Sequence, residues 1–261
     1  MTGPRPATFP SHRHHGVELV LCLAATFLVY PDIVSAQDRD IVLRAELQVD
    51  LEQPPSVLAF DGVTEPGYVP ALTDQAAAEA VLAEGLWLFH GMIHGFDYVY
   101  TPSDRARAIA DLFEISSRAS AFGGSRAFRV ASVRFDGRML VAEVEYLVPG
   151  PERTILASWE SISYRSAQGR GEASAWDRGL TPDTAAGVLP FQVAARRAAI
   201  IDATREALRD YLRGLEFNKP REVRGSFAFA SQPRLVLSGG RWIATVRLRV
   251  GVDEIIPYGG Y

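Results

Sequence analysis

The sequence predicts an α+β fold in which antiparallel sheets pack on amphipathic helices. Three observations carry this prediction: alternating apolar residues over 39–51, a hairpin signal at Asp136-Gly137, and a helical apolar repeat over 191–215. The chain has 261 residues, of which 48% are hydrophobic and 22% are charged. A chain of this length and composition can bury a stable core without disulfides or bound metals. A net charge of −4 offers no basic footprint, so we expect no nucleic-acid partner.

The first 36 residues have the layout of a secretory signal peptide. Arg5 and Arg13 precede an apolar run over 17–30, and Val34-Ser35-Ala36 resembles a cleavage site. We therefore predict a signal peptide over 1–36 and a mature protein in the periplasm or cell envelope. An uncleaved membrane anchor is the alternative, although the run is shorter than the roughly 20 residues that a spanning helix needs.

Cys22, the one cysteine of the chain, lies inside the predicted signal peptide. A mature chain that begins at Gln37 would hold no cysteine. It could form no disulfide, and it would offer neither a thiolate nucleophile nor a cysteine metal ligand. We therefore expect a disulfide-free exported protein that depends on its core for stability.

The N-terminal α+β region is predicted over 37–165. Its first strand covers 39–51, and Thr73-Asp74 is a suitable cap for a helix that continues to about Phe89. The remaining predicted elements, in chain order, are a strand over 96–100, a helix from the Thr101-Pro102 cap to about Ser117, a hairpin of strands 128–135 and 139–148, and a strand over 154–164.

The C-terminal α+β region is predicted over 166–261. Its long amphipathic helix covers 191–215, with Leu208 and Leu212 on the apolar side, and strands follow over 223–230, 234–237 and 241–250. The stretch at 136–144 resembles the stretch at 239–246, and each is the second half of a hairpin that follows a helix. Two helix-plus-hairpin halves are therefore one interpretation, and chance recurrence of hairpin rules is the other.

Two histidines outside the signal segment, His90 and His94, have the H-x-x-x-H spacing of metal sites. On a helix they would share one face and could hold an ion with Asp97 or Glu84 as a third ligand. Gly91 stands where zinc proteases have a glutamate. The glycines and the alternating aromatic residues favour a strand, which would separate the imidazoles by about 13 Å. We expect no catalytic residue and no metal, and the site of His90, His94 and Asp97 is the alternative.

Aromatic residues cluster over 87–100, in a stretch that carries little charge. Core packing is the ordinary role of such residues. A groove that binds a ligand or a partner protein is the alternative. The residues that would line this groove are Trp87, Phe96, Tyr98 and Tyr100.

Two stretches carry a resemblance to known proteins: Gly169-Arg170-Gly171-Glu172-Ala173, and the alanine-rich helix residues 194–203. Over about 163–250 they resemble the Ala-rich helix-plus-strands domain of small bacterial envelope lipoproteins and of a flagellar-assembly protein of the outer membrane. Leu21 replaces the small residue that precedes a lipidated cysteine. The remainder, including F-H-G-M-I-H-G-F-D-Y-V-Y-T-P, resembles uncharacterised exported bacterial proteins. The resemblance implies an envelope module without enzymatic activity, and it carries over no catalytic residue.

Three functions follow from these residues. The first is an exported interaction or structural module, with an envelope protein or glycan as its partner and no evident enzymatic activity. The second is a metal-binding protein or metal-dependent enzyme that uses His90 and His94. The third is a binder of a small ligand or glycan through the aromatic segment 87–100. We expect no cofactor in the first or the third.

Overall fold

Antiparallel sheets dominate the structure and confirm the predicted α+β class. The computed structural model describes residues 40–51, 74–118, 127–175, 191–215 and 219–258. The predicted signal peptide over 1–36 and the capping residue Thr73 lie outside these ranges. From Ile41 onward the described residues belong to one compact unit.

A three-stranded sheet has the order β1-β5-β4. Its strands are β1 (Val42–Asp50), β4 (Phe128–Asp136) and β5 (Met139–Leu147). The predicted Asp136-Gly137 turn joins β4 to β5, and Gly137 has the positive φ of 59° that such a turn requires. Ala45, Leu47 and Val49 alternate into the core, so the predicted first strand is confirmed.

A six-stranded sheet has the order β3-β2-β7-β9-β6, and β8 pairs with β9. Its strands are β2 (Phe96–Thr101), β3 (Leu112–Ser117), β6 (Arg165–Ser174), β7 (Glu222–Phe229), β8 (Arg234–Ser238) and β9 (Arg241–Ile256). Strands from both predicted regions contribute to this sheet. The β4–β5 and β8–β9 hairpins, the basis of the two-halves interpretation, lie in different sheets.

Three α-helices occur in the described part of the chain: α1 (Asp74–Ile93), α2 (Gly150–Ser158) and α3 (Phe191–Leu215). Helix α3 has the predicted bounds, and Leu208 and Leu212 are buried as predicted. Helix α1 is long and apolar enough to span a membrane over Gln75–Ile93, but 56% of that stretch is buried inside the fold. Buried helices of soluble proteins have the same composition.

The predicted helix over 101–117 is wrong. Asp104 accepts hydrogen bonds from the backbone N–H groups of Ala106 and Arg107, but the capped segment is a single 3-10 turn over Arg105–Arg107. Ala108, with φ of 53°, ends this turn, and the chain reverses into β3. Phe113 and Ile115 alternate on one face of β3, where Phe113 lies opposite Tyr100.

The predicted strand over 154–164 is also wrong. Pro149 and Pro151 favour the start of a helix, since the missing N–H of proline has no partner in a first helical turn. Helix α2 ends at Ser158, and the indole N–H of Trp159 donates to the carbonyl of Ile93 at 2.9 Å. This hydrogen bond joins the end of α2 to the end of α1.

Candidate functional site

The two histidines lie at the end of α1, so the prediction that a strand separates them is wrong. Helix α1 continues through Gly91, where no side chain would fit. A Cβ at position 91 would lie 2.6 Å from the ring of Phe229 and 2.7 Å from the ring of Phe96. Gly95, with φ of 73°, ends the helix. The His90 and His94 rings stack, with centroids 5.2 Å apart and planes inclined by 30°.

The two predicted third ligands, Asp97 and Glu84, form ion pairs with arginines. Asp97 pairs with Arg118 at 3.1 Å, and Glu84 pairs with Arg196. The carboxylate beside His94 is that of Glu152, 3.6 Å from Nε2. The described residues contain no group of three or more His, Cys, Asp or Glu side chains arranged to hold a metal ion.

Glu152 also joins the histidines to the three-stranded sheet. Its second oxygen accepts a hydrogen bond of 2.8 Å from the hydroxyl of Tyr146. Burial, and then the neighbouring Glu152 carboxylate, raises the pKa of Tyr146. Tyr146 therefore stays protonated and donates to Glu152 at physiological pH.

Most of the predicted aromatic surface lies in the core. Phe96, Tyr98 and Tyr100 are buried, and Trp87 is half-buried. Trp87 packs 5.6 Å from the ring of Phe96, and the guanidinium of Arg197 lies 5.0 Å from its centroid. Phe96, Tyr98 and Tyr100 therefore pack in the core, and a ligand role for any of the four residues stays a prediction.

A separate cleft of about 340 Å³ lies where β1 meets the β8–β9 hairpin, with residues of α1 and α3 at its base. We name it the Arg196 cleft. Its volume falls in the range of small-ligand sites. Its lining includes Glu46, Gln48, Glu84, Arg196, Gln232 and Trp242.

An ion pair at the base of the Arg196 cleft is almost completely buried. The side chains of Arg196 and Glu84 are 4% and 2% exposed. Arg196 Nε donates to Glu84 Oε1 at 2.7 Å, and Nη2 donates to Oε2, so the pair is bidentate. A buried pair of this kind is weak evidence for stability, because removing two charges from water offsets much of their attraction.

The Nη1 nitrogen of Arg196, which carries two N–H donors, takes no part in this pair. This nitrogen is buried and has no hydrogen-bond partner among the described residues. The guanidinium lies 5.4 Å from the ring centroid of Trp242, which interacts with the charge but does not replace a hydrogen-bond acceptor. A buried donor without a partner is unfavourable, so an acceptor placed beside Nη1 would stabilise it.

Polar residues of β1 and of the turn before β8 also line the Arg196 cleft. Gln232 Nε2 donates to the backbone carbonyl of Glu46 at 3.0 Å, which ties the β7–β8 turn to β1. Hydrogen bonds from Arg134 and then from Gln48 lower the pKa of the Glu46 carboxyl. Both oxygens of this carboxyl have partners, since Oε2 accepts from Arg134 and Oε1 accepts from Gln48.

This arrangement is suited to binding rather than to proton transfer. Glu84 is held by two hydrogen bonds from Arg196, so it is not available as a general base without breaking the pair. Charges of both signs line the cleft, while Trp242 supplies an aromatic wall. A small polar ligand with an apolar face matches these groups.

Sequence reasoning did not find this cleft. In the sequence Glu84 is a possible metal ligand, and Arg196 is one of many arginines. The two are 112 positions apart, and neither lies in a recognisable motif. The one signal in the sequence is a charged residue, Arg196, at a position of α3 that faces the core.

Comparisons with known proteins support a family assignment without a function. A model of an uncharacterised protein family matches residues 29–258. An uncharacterised protein of Treponema pallidum (strain Nichols) is 28% identical over 177 residues, which is 68% of each chain. No solved structure matches the chain. Neither match bears on the resemblance to envelope lipoproteins or the flagellar-assembly protein, which stays a prediction.

Proposed function

The chain belongs to this family of uncharacterised proteins, and we propose that it is an exported module of the bacterial cell envelope that binds a small polar ligand in the Arg196 cleft. The observation that carries the proposal is the buried Nη1 of Arg196, for which the described residues supply no hydrogen-bond acceptor. A ligand oxygen at the base of the cleft would supply that acceptor.

A saccharide is the ligand class that the lining favours. A sugar ring has an apolar face, which can pack on Trp242, and hydroxyl groups around its edge. The hydroxyls can both donate and accept, so they match the polar lining residues Gln48, Gln232 and Arg196. Because the lining combines Glu46 and Glu84 with Arg196 and Arg234, it has no excess charge that would favour an ionic ligand.

Binding of N-acetylglucosamine trimer, measured by calorimetry, tests the proposed ligand. We expect Trp242→Ala to weaken binding at least tenfold, since the aromatic wall is lost. Trp242→Phe keeps a ring at this position and is the matched control, for which we expect a change of less than threefold. Equal binding by the wild type and Trp242→Ala would contradict the proposed site.

Export rests on the signal pattern at 1–36. Mass spectrometry of the protein from its native host should find an N-terminus at Gln37, in the periplasmic or envelope fraction. An intact N-terminus on envelope-fraction protein would favour an anchor. An intact N-terminus in the cytoplasm would contradict export.

A second candidate, the interaction module, is favoured by a different observation. Val130, Val133 and Phe135 on the edge strand β4 are 49%, 53% and 64% exposed. They lie opposite Val144, Ala142 and Leu140, the core-facing residues of β5. Among the described strands only β5 pairs with β4. An exposed apolar edge of this kind can accept an extended segment of a partner protein.

A photo-crosslinking residue at Phe135, introduced in the native host, tests this second candidate. We expect one discrete adduct with an envelope protein, and we expect Val133→Asp to abolish it. The same crosslinker at exposed Arg213 on α3 is the control. An adduct that persists in Val133→Asp would contradict docking through β4.

A further inference from the structure

Three arginines stand side by side on the outward face of the six-stranded sheet. Thr245 on β9 lies opposite Arg170 on β6 and also opposite Arg234 on β8. Arg247 follows two positions along β9, so its side chain leaves the same face. All three arginines are exposed, whereas the alternating residues of β9 from Ala244 to Val250 are buried. We name this group the arginine face.

None of these three arginines has an ion pair or a side-chain hydrogen bond with any part of the chain that the structure describes. The other two arginines on this side of β9 do have partners: Arg241 pairs with Glu172, and Arg249 pairs with Glu160 at 2.6 Å. The arginine face therefore concentrates three positive charges that form no ion pair with a described residue, on a protein whose net charge is −4.

Placing these cations together is unfavourable in the isolated protein. Like charges on neighbouring strands repel, and the backbones of β6 and β8 are roughly 10 Å apart across β9. Exposed apolar side chains lie beside them. Val236 on β8 is 47% exposed and lies opposite Ile243 of β9, which is two positions before Thr245.

We propose that the arginine face docks on anionic phospholipid headgroups at a membrane surface. The guanidinium group matches a phosphate through two parallel hydrogen bonds, and an anionic surface offers many phosphates at once. Three positive charges on a sheet face complement such a surface. Val236 and Ile243 can reach between the headgroups, which a dissolved phosphate ion does not require.

The arginine face and the Arg196 cleft lie on opposite faces of β8 and β9. Leu235 and Trp242, which line that cleft, belong to the inward-facing positions of β8 and β9. Arg234 contributes to the rim of the cleft as well as to the arginine face. Its substitution alone would therefore not separate the two sites, and the test removes all three arginines.

Co-sedimentation of the full chain with vesicles tests the proposal. One set of vesicles contains phosphatidylglycerol and phosphatidylcholine, and the other contains phosphatidylcholine alone. The variant carries Arg170→Gln, Arg234→Gln and Arg247→Gln. The charge-matched control carries Arg105→Gln, Arg213→Gln and Arg221→Gln, which removes three exposed arginines elsewhere. Melting curves verify that both variants fold.

We expect binding to the phosphatidylglycerol vesicles to fall at least tenfold in the arginine-face variant and less than threefold in the control. An equal fall in both variants would mean that only net charge matters, and would overturn the proposal. Equal binding to both vesicle types would overturn it too. Binding of inorganic phosphate by ³¹P NMR, lost in the arginine-face variant without any difference between vesicles, would assign the site to a soluble phosphate instead.

Discussion

Gly171 on β6 lies directly against the backbone of Ala203 on α3. A Cβ at position 171 would be 2.6 Å from Ala203 Cα and closer still to the backbone nitrogen of Ala203. Gly169 makes the same kind of approach to Ala207, one helical turn further along. The G-x-G-x-A stretch and the alanines of α3 are therefore the two sides of one contact, in which small residues let the helix approach the sheet.

Gly171→Ala should destabilise the fold by about 1–3 kcal/mol, as overpacking of a rigid contact does. The added methyl group meets helix backbone, which is less able to move than a side chain. Gly214→Ala, in the last turn of α3 with nothing within 4 Å, is the control. We expect it to be neutral or stabilising, since alanine favours helix by about 1 kcal/mol. Urea unfolding measures both, and equal stability of the two variants would contradict the contact.

Leu208→Ala should lower the free energy of unfolding by about 2–5 kcal/mol, because Leu208 is fully buried and its removal leaves a cavity. Arg213, two-thirds exposed on the same helix, is the matched position. We expect Arg213→Ala to change stability by less than about 0.5 kcal/mol. Comparable losses in the two variants would mean that α3 does not present Leu208 to the core.

The buried pair at the base of the Arg196 cleft should respond unequally to single and double substitutions. Glu84→Gln leaves the Arg196 charge buried without a counter-ion, so we expect a loss of about 3–5 kcal/mol. The double change Glu84→Leu, Arg196→Met removes both charges and should recover much of that loss. Recovery of stability together with lost ligand binding would assign the pair to function, and failure of the double variant to recover would assign it to the fold.

Acid should weaken the three-stranded sheet through Glu145. Hydrogen bonds from Arg44 and then Arg129 lower the pKa of Glu145 below its ordinary value of 4.5. Its contribution to stability is therefore complete above about pH 4.5 and is lost as the pH falls through the lower folded-state pKa. Urea unfolding between pH 7 and pH 3 should show a shallower fall for Glu145→Gln than for the wild type. Glu143→Gln, on the same face of β5, is the control, and identical profiles for wild type and Glu145→Gln would contradict the assignment.

Zinc should not bind tightly at His90 and His94, although the rings are close. A metal ion lies in the plane of each imidazole that binds it, and stacked rings do not direct their nitrogens to one point. Calorimetry on protein without a histidine tag is the measurement, with His90→Ala, His94→Ala as control. Stoichiometric sub-micromolar binding that disappears in this double variant would show that the pair rearranges into a metal site.

The sequence by itself determined those elements whose apolar repeat is long and uninterrupted. The six alternating positions of 41–51, the Asp136-Gly137 turn and the helical apolar repeat over the 25 residues of α3 each specify one local geometry. Only one face of such a strand or helix can be buried, so the sequence alone shows which face that is. For this reason the fold class, the helix over 191–215 and the buried side of Leu208 were predicted correctly.

Tertiary packing decided the rest. The rings of Phe229 and Phe96 pack against Gly91 and fill the space of a side chain there. The helix therefore continues to the histidines, which lie close together instead of being separated on a strand. The segment 101–117 became a turn and a strand because Phe113 packs across from Tyr100, which outweighs a good helix cap. Glu84 and Arg196 meet from different helices, and no local pattern encodes a pairing of residues that distant. A local period can specify which face is buried, but it holds no information about what will be packed against that face.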